Sequence, residues 1–234
     1  MATREIKLAS YTSRIDLLMK HVSNKKTLHL GCSSGRYIKA RLERGSLLHQ
    51  RLEDVSSDLH GIDLDGESLV TMRELGYDNL YEGNVEHLDQ VGLSEKFDVV
   101  LAGDLLEHIT CPGAMLNGIK PLLADSGRAI ISTNNAFGLN YQLRRWTGSF
   151  KEHFEHVCFF SPETLLHLFE RHGYRVVEMH GAYTEPPYTL TQKLKFMIGA
   201  PLYKIFPILA GTLVVIAEKA PISISKSNTD QSPS

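Results

Sequence analysis

The run Thr27-Leu28-His29-Leu30-Gly31-Cys32-Ser33-Ser34-Gly35, with Gly61-Ile62-Asp63-Leu64-Asp65 downstream, decides the reading of this chain. In each stretch a short apolar run stops abruptly, first at a glycine loop and then at an acid. In an open α/β sheet such a pair builds a nucleoside pocket. Glycines let the backbone turn sharply and approach a ligand closely. The helix after the loop offers free N–H groups to an anion. The acid ending the next strand accepts hydrogen bonds from both ribose hydroxyls.

Glycine spacing narrows the nucleoside. A dinucleotide fingerprint requires G-x-G-x-x-G, but Gly31 is followed by Ser33 at the second glycine position and then by Gly35. A serine Cβ crowds a pyrophosphate there. A phosphate loop would continue Gly-Lys-Ser/Thr, whereas Gly35 is followed by Arg36-Tyr37. A nucleoside without phosphates remains, which points to S-adenosylmethionine. A plain strand–turn–helix is the structural alternative.

The chain has 234 residues, 42% hydrophobic and 22% charged, with a formal net charge of -2. These values describe one globular domain, expected over residues 1–220. The tail, 221–234, is rich in Ser, Asn, Gln and Pro and is expected to be disordered. A weakly acidic balance argues against a nucleic-acid partner bound by phosphate neutralisation. Cys32, Cys111 and Cys158 make an odd number with no zinc-like spacing, so a reduced, cytoplasmic setting is expected. No signal-peptide pattern stands at the N-terminus.

Periodicity predicts a helix over about Thr3–Val22 and a helical region over Gly35–Val55. Further helices are expected from Asp65 to Leu75, where Gly76 marks the end, over Pro112–Leu123, and from Ser161-Pro162-Glu163, with serine as N-cap. Strands are expected at Thr27–Leu30, Asp58–Ile62, Asn79–Glu82, Phe97–Ala102, Gly127–Ser132, Tyr174–Met179 and Gly211–Glu218. Strands alternating with helices predict a doubly wound α/β sheet.

Thr27 to Gly35 resembles the first motif of class I S-adenosylmethionine-dependent methyltransferases, and the likeness extends roughly from Leu28 to Lys219. Glu82-Gly83-Asn84-Val85-Glu86 resembles the third motif, where an acid or amide meets the adenine amine and the next residue packs on the ring. Phe97 to His108 is similar to the strand-four motif, often ending Leu-Glu-His. Leu122 to Gly127 resembles the turn before strand five. Asn134 to Phe137 and His156 to Pro162 resemble a bacterial subgroup linked to cell-surface glycan and lipid tailoring; ubiquinone-pathway O-methyltransferases share the strand-four signature. The resemblance implies a Rossmann-like sheet of seven strands, mostly parallel with the last antiparallel, and helices on both faces.

Ligands in such sheets sit beyond the carboxyl ends of the strands. That gathers Gly31, Cys32, Ser33, Gly35, Asp63, Leu64, Asn84, Val85, Ala102, Gly103 and Asp104 around one crevice, with carbonyls at Ala102 and Gly103 facing the cofactor ammonium. The resemblance adds Arg14 for the cofactor carboxylate; a solvated surface charge is its alternative. Asp65 is expected to cap the next helix. His29 stands where the family usually carries an acid that orders the loop, and is read either as altering cofactor affinity or as a core histidine. No nucleophile role is expected for Cys32.

For a general base the candidates are His108, His153 and His156, since histidine titrates near neutral pH. A structural bond to a backbone carbonyl is the alternative for His108. Asp104 and Glu107 are further polar candidates, Glu107 chiefly as a helix-start charge. His153-x-x-His156 with Glu152 and Glu155 has the composition of a metal site, but proximity in a loop does not fix geometry, and no metal is expected. Residues 136–160 and 184–210 are expected to cover the acceptor site. Arg144, Arg145, Trp146 and Lys151 in the first segment suit phosphate or carboxylate groups, or a solvated face. In 194–210, Pro201, Pro207, Lys195 and Lys204 interrupt the apolar run, which packs on the sheet or rests peripherally on the inner membrane surface.

The expected function is O-methylation of a small molecule or a cell-surface glycan or lipid precursor. The alternatives are a quinone-pathway or other lipid-aromatic O-methyltransferase, and a non-catalytic cofactor-binding partner subunit.

Overall fold

The computed structural model describes residues 7–148, 153–184 and 189–221. The expected tail beyond 221, and Lys151 and Glu152, lie outside them. The strands are β1 (Tyr11–Ser13), β2 (Lys26–Leu30), β3 (Asp58–Asp63), β4 (Leu80–Glu82), β5 (Phe97–Gly103), β6 (Leu123–Asn134), β7 (Tyr174–Tyr183) and β8 (Thr212–Lys219). The helices are α1 (Arg14–Val22), α2 (Ile38–Glu43), α3 (Leu48–Glu53), α4 (Gly66–Glu74), α5 (Pro112–Leu122), α6 (Leu139–Trp146), α7 (Pro162–Arg171) and α8 (Leu190–Ile205).

All eight strands form one sheet in the order β1-β7-β8-β6-β5-β2-β3-β4. Only the β8 pairings, with β6 and β7, are antiparallel. The fold is therefore the expected Rossmann-like α/β sheet with one strand more than seven. The extra strand corrects the N-terminal helix. Tyr11 and Thr12, aromatic and β-branched, favour an extended chain and run parallel to Gly181–Tyr183 of β7. Helix starts only at Arg14, where the Ser13 side chain accepts from Asp16 N–H at 3.2 Å.

The helical region 35–55 is also shorter than expected. It divides into a 3-10 turn at Gly35–Tyr37, then α2 and α3. Gly45, at φ +58°, ends α2: its N–H reaches the Leu42 carbonyl and Ser46 N–H reaches that of Arg41, a pattern that leaves no helical continuation. The turn expected before strand five instead lies inside β6, as a register shift opposite Phe97 and Val99.

Strand β5 explains why the sheet is buried on both faces. Val100 and Ala102 pack with Met115, Leu116 and Ile119 of α5 and Leu165 and Phe169 of α7. Val99 and Leu101 pack with Leu17, Leu18 and Val22 of α1 and Leu52 of α3. A strand covered on both sides reads as a continuous apolar run, which Val99–Ala102 does. The chain runs from β2 outward to β3 and β4, then crosses back to β5 on the other side of β2. The carboxyl ends of β2 and β5 thus flank the switch point where open sheets bind ligands.

Close packing at β3 positions the glycine loop. A Cβ on Gly61 would stand 2.7 Å from Cys32 Sγ and 2.8 Å from Leu80 Cδ2. Gly61→Ala is expected to lower unfolding free energy by about 1–3 kcal/mol through overpacking. Denaturant unfolding checks this, and an unchanged midpoint would show that the loop yields freely.

Candidate active site

The loop after β2 is held from β3. Gly31, at φ +68°, and Cys32 both donate backbone N–H bonds to the Ile62 carbonyl, at 2.9 and 3.1 Å. Ser33 N–H donates to Asp63 Oδ2 at 2.7 Å, and Asp65 N–H to Asp63 Oδ1 at 3.1 Å. A carboxylate has about four acceptor sites, so two backbone bonds leave Asp63 capacity for hydroxyls. Gly35, at φ +50°, takes the Ser33 hydroxyl as acceptor at 3.3 Å. Asp65 caps α4, accepting from Ser68 N–H and hydroxyl; those bonds hold its carboxyl below the usual range.

On the other side of β2, the chain leaves β5 through Asp104 at φ +52°. Its N–H meets the Ser132 carbonyl and hydroxyl at 3.0 and 3.1 Å, and its carboxylate accepts from the Ser132 hydroxyl at 2.9 Å. Arg14 completes the junction, 3.0 Å from Asp104 Oδ2 and 3.2 Å from Ser132 Oγ. At 8% exposure Arg14 is no solvated surface charge. Its buried Nε has no partner among the described residues. Gly103 must be small here, since a Cβ would stand 2.7 Å from Leu48 Cδ2. Ala102 does not line the cavity: it lies within the sheet, fully buried between its ladder partners Leu30 and Ile131.

These groups border one cavity of about 1000 Å³, which also reaches Leu64, Asn84, Val85, His108, His153 and His156. The volume suits a nucleoside-sized ligand with an acceptor beside it. Asn84 Oδ1 already accepts from Glu86 N–H at 2.9 Å; an amide oxygen has a second lone pair for an adenine amine. A buried thiol lies under the loop: Cys32 is pushed far above the ordinary value, by burial and then by the Asp63 charge.

His29 pairs with His49, Nδ1 to Nδ1 at 3.2 Å, their rings stacked 5.4 Å apart. Two neutral imidazoles share one proton across such a bond. Burial lowers His49 to about 4 and puts His29 well below its usual value, with His49 and Arg14 adding to the effect. His29 Nε2 is buried without a partner among the described residues and borders the cavity. No spacing rule connects positions 29 and 49, so sequence reasoning missed the pair.

At the far end of the cavity three imidazoles meet. His108 lies 4.7 Å from His156 and 6.0 Å from His153, centroid to centroid, and His153 lies 5.3 Å from His156. The segment bearing the last two is fastened by Glu107, whose carbonyl accepts from Val157 and Cys158 N–H at 2.8 and 3.2 Å. Glu107 is not a solvated helix-start charge. It is 2% exposed and its carboxylate accepts from the Thr133 hydroxyl at 2.8 Å. Burial, then the nearby Asp104, raises its pKa.

A family model described as a methyltransferase domain matches residues 4–179. The chain belongs to this family. It is 27% identical over 177 residues to the ubiquinone biosynthesis O-methyltransferase of Aeromonas salmonicida, covering 69% of this chain and 68% of that one. Other relatives of the same description are spanned over 42% to 72% of their length. A methyltransferase structure from Archaeoglobus fulgidus superposes with TM-score 0.55 at 18% identity, over 88% of this chain and 91% of that chain. Magnesium protoporphyrin IX methyltransferase from Synechocystis, solved with S-adenosylhomocysteine, superposes with TM-score 0.53 at 15% identity, over 88% and 82%. The protein is a methyltransferase with the class I fold, and S-adenosylmethionine is the methyl donor of that class.

Two outcomes are expected. Asp63→Ala removes the expected ribose acceptor and the partner of Ser33 N–H together, and should weaken S-adenosylhomocysteine binding at least about tenfold, or 1.4 kcal/mol; equal affinity by calorimetry would refute the ribose assignment. The histidine pair makes stability pH-dependent. Unfolded, both rings titrate near 6.5, and folded, they resist protonation. Protons therefore bind the unfolded chain first, so the pair's contribution is complete above about pH 6.5 and is lost towards pH 4. The stability gap between the wild type and His49→Leu should shrink over that window, as read by denaturant unfolding at each pH.

Proposed function

We propose that this methyltransferase transfers a methyl group to a hydroxyl oxygen of a small acceptor carrying an apolar portion. One observation carries the reading: a single cavity joins the Gly31–Asp63 end to the three imidazoles. When bound, S-adenosylmethionine supplies a sulfonium methyl group open to displacement. Asp63 would hold the ribose, Asn84 and Val85 the adenine, and the Arg14–Asp104 junction the methionine end. Gly31, Cys32, Ser33 and Gly35 shape the floor, and Leu64 and Gly103 its walls. Displacement then requires an aligned oxygen and excluded water. An imidazole within reach of that oxygen takes its proton. His108 and His156 are the first candidates, being part-buried and adjacent, while His153 is more exposed.

The apolar portion of the acceptor is supported by Phe154, which borders the cavity, and by further exposed apolar side chains of the covering segment 136–160. Phe154 is 81% exposed beside His153, and Trp146 on α6 is 82% exposed, with Val157 and Leu143 also exposed. Free aromatic surface of this kind favours a lipid-linked or quinone-type acceptor over a bare glycan. Arg144 and Arg145 on α6 would meet an anionic group of that acceptor.

Covering residues 194–210 supply the approach. Tyr203 and Phe196 of α8 pack against Tyr11 and Tyr183 respectively at the edge of the sheet, the second pair edge to face. Met197, Ile205 and Phe206 stay exposed near Lys204. That mixture suits contact with an anionic membrane surface, from which an apolar acceptor would arrive. Among the described residues no helix is long and apolar enough to cross a membrane. Residues 1–220 would act as one domain, since both apolar clusters pack on the same sheet.

His108→Ala and His156→Ala should each lower kcat by about 10²-fold or more with S-adenosylhomocysteine affinity retained, assayed with labelled methyl donor on hydroquinone-type and glycan acceptors. Full activity in both variants would remove the imidazoles from the reaction. Tight binding without turnover on any hydroxylated acceptor would favour the non-catalytic partner subunit.

A further inference from the structure

We propose that His108, His153 and His156 form a binding site for one divalent cation of the zinc type at the acceptor end of the cavity. One ring nitrogen from each residue lies within 4.8 Å of the others. His153 and His156 come from one short turn; His108 ends the 3-10 turn that follows β5, 45 residues before His153. Sequence spacing supplies only the first two, which is why no metal was expected from it. The fold adds the third, and three imidazoles with a fourth position open to water or substrate make a known type of catalytic zinc site.

The surroundings of the rings suit ligation. A metal-bound histidine donates its other ring N–H to a carboxylate, carbonyl or similar acceptor. The Glu155 backbone lies beside the His108 ring as a polar neighbour. The Glu155 carboxylate stands 3.7 Å from His153 Nδ1. The Asn134 amide lies 3.5 Å from His156 Nδ1, and turning that amide over presents its oxygen. The Glu155 backbone N–H, 3.4 Å from His153 Nδ1, competes with the carboxylate for that nitrogen; a cation on Nε2 would put the proton on Nδ1 and decide for the carboxylate. Tetrahedral geometry with Zn–N near 2.0–2.1 Å needs nitrogens roughly 3.3 Å apart. The rings must therefore close by about 1 Å or more, which rotation of the exposed His153 and its turn allows.

A second cluster, Asp58, His60 and Glu95, does not qualify. The Lys26 ammonium already sits among its carboxylates, 2.8 Å from Asp58 and in contact with Glu95.

Binding of the cation stands independently of the methyl-transfer reading; its use rests on that reading and replaces the imidazole as the group that draws off the proton, since a ring nitrogen bound to the cation accepts none. An acceptor hydroxyl in the open position would ionise more readily beside the cation, its proton leaving to water. The oxygen then bonds to the methyl carbon as the carbon–sulfur bond breaks, with the electron pair remaining on sulfur, now a neutral thioether.

The test uses the full chain, stripped with chelator, titrated by calorimetry with Zn2+ and separately with S-adenosylhomocysteine, and then loaded with Co2+ for its visible spectrum. One equivalent of Zn2+ at micromolar affinity or tighter is expected, with a tetrahedral-type cobalt spectrum. His153→Asn should weaken binding at least about tenfold, and His153→Asn with His156→Asn should abolish it, with melting temperatures confirming that both variants fold. No stoichiometric Zn2+ binding, or binding retained in the double variant, overturns the site. If S-adenosylhomocysteine binds and Zn2+ does not, the cation is refuted while methyl transfer stands; the reverse pattern refutes the cofactor pocket and keeps the cation.

Discussion

Arg14 brings a buried guanidinium against the carboxylate of Asp104, which keeps about a third of its exposure at the cavity edge. Burying the guanidinium is costly, and close geometry with additional hydrogen bonds offsets that. Ser132 supplies those bonds, through its hydroxyl to both partners and its carbonyl to the Asp104 N–H. Three elements meet there: the start of α1, the residue just past β5 and the C-terminal end of β6. The junction holds Asp104 in a left-handed conformation that costs about 1–3 kcal/mol for a residue other than glycine. It thereby turns the chain out of the sheet at Gly103 and sends the following turn, with Glu107 and His108, along the cavity wall.

Glu107 extends the same arrangement. Its side chain points inward to Thr133 and its carbonyl outward to the backbone of Val157 and Cys158. The segment that brings His153 and His156 to the cavity is thus anchored to the residue just before His108. The imidazoles meet because one buried carboxylic acid fixes both strands of that wall.

Much of this was legible in the sequence, and the boundary follows physical lines. Parallel strands buried on both faces announce themselves by unbroken apolar runs, and β2, β3 and β5 fall where Thr27–Leu30, Asp58–Ile62 and Phe97–Ala102 predict them. The serine N-cap at Ser161 and the glycine after α2 are local signals; the first was read, and the second was passed over in favour of one long helix. Tyr11–Ser13 was taken as helix because a three-residue edge strand has no period to detect and owes its existence to β7, far away in sequence. At the site, residues on loops next to strand ends were placed by topology alone. Ala102 was put one position too far out, since its carbonyl still belongs to the ladder. Pairings across the fold, His29 with His49 and Glu107 with Thr133, leave no trace in spacing.

Cys32 shows what burial accomplishes next to a reactive donor. Sulfur anions attack alkyl sulfonium centres readily, and a thiolate on the loop would be a competing acceptor that spent the donor on the protein itself. Packed beneath Gly61, and with Asp63 nearby, the thiol stays protonated at any physiological pH. Nucleophilicity belongs to the thiolate, which is absent here. The glycine at position 61 therefore keeps the sulfur in its unreactive thiol form, because only a residue without a side chain lets it sink into the sheet.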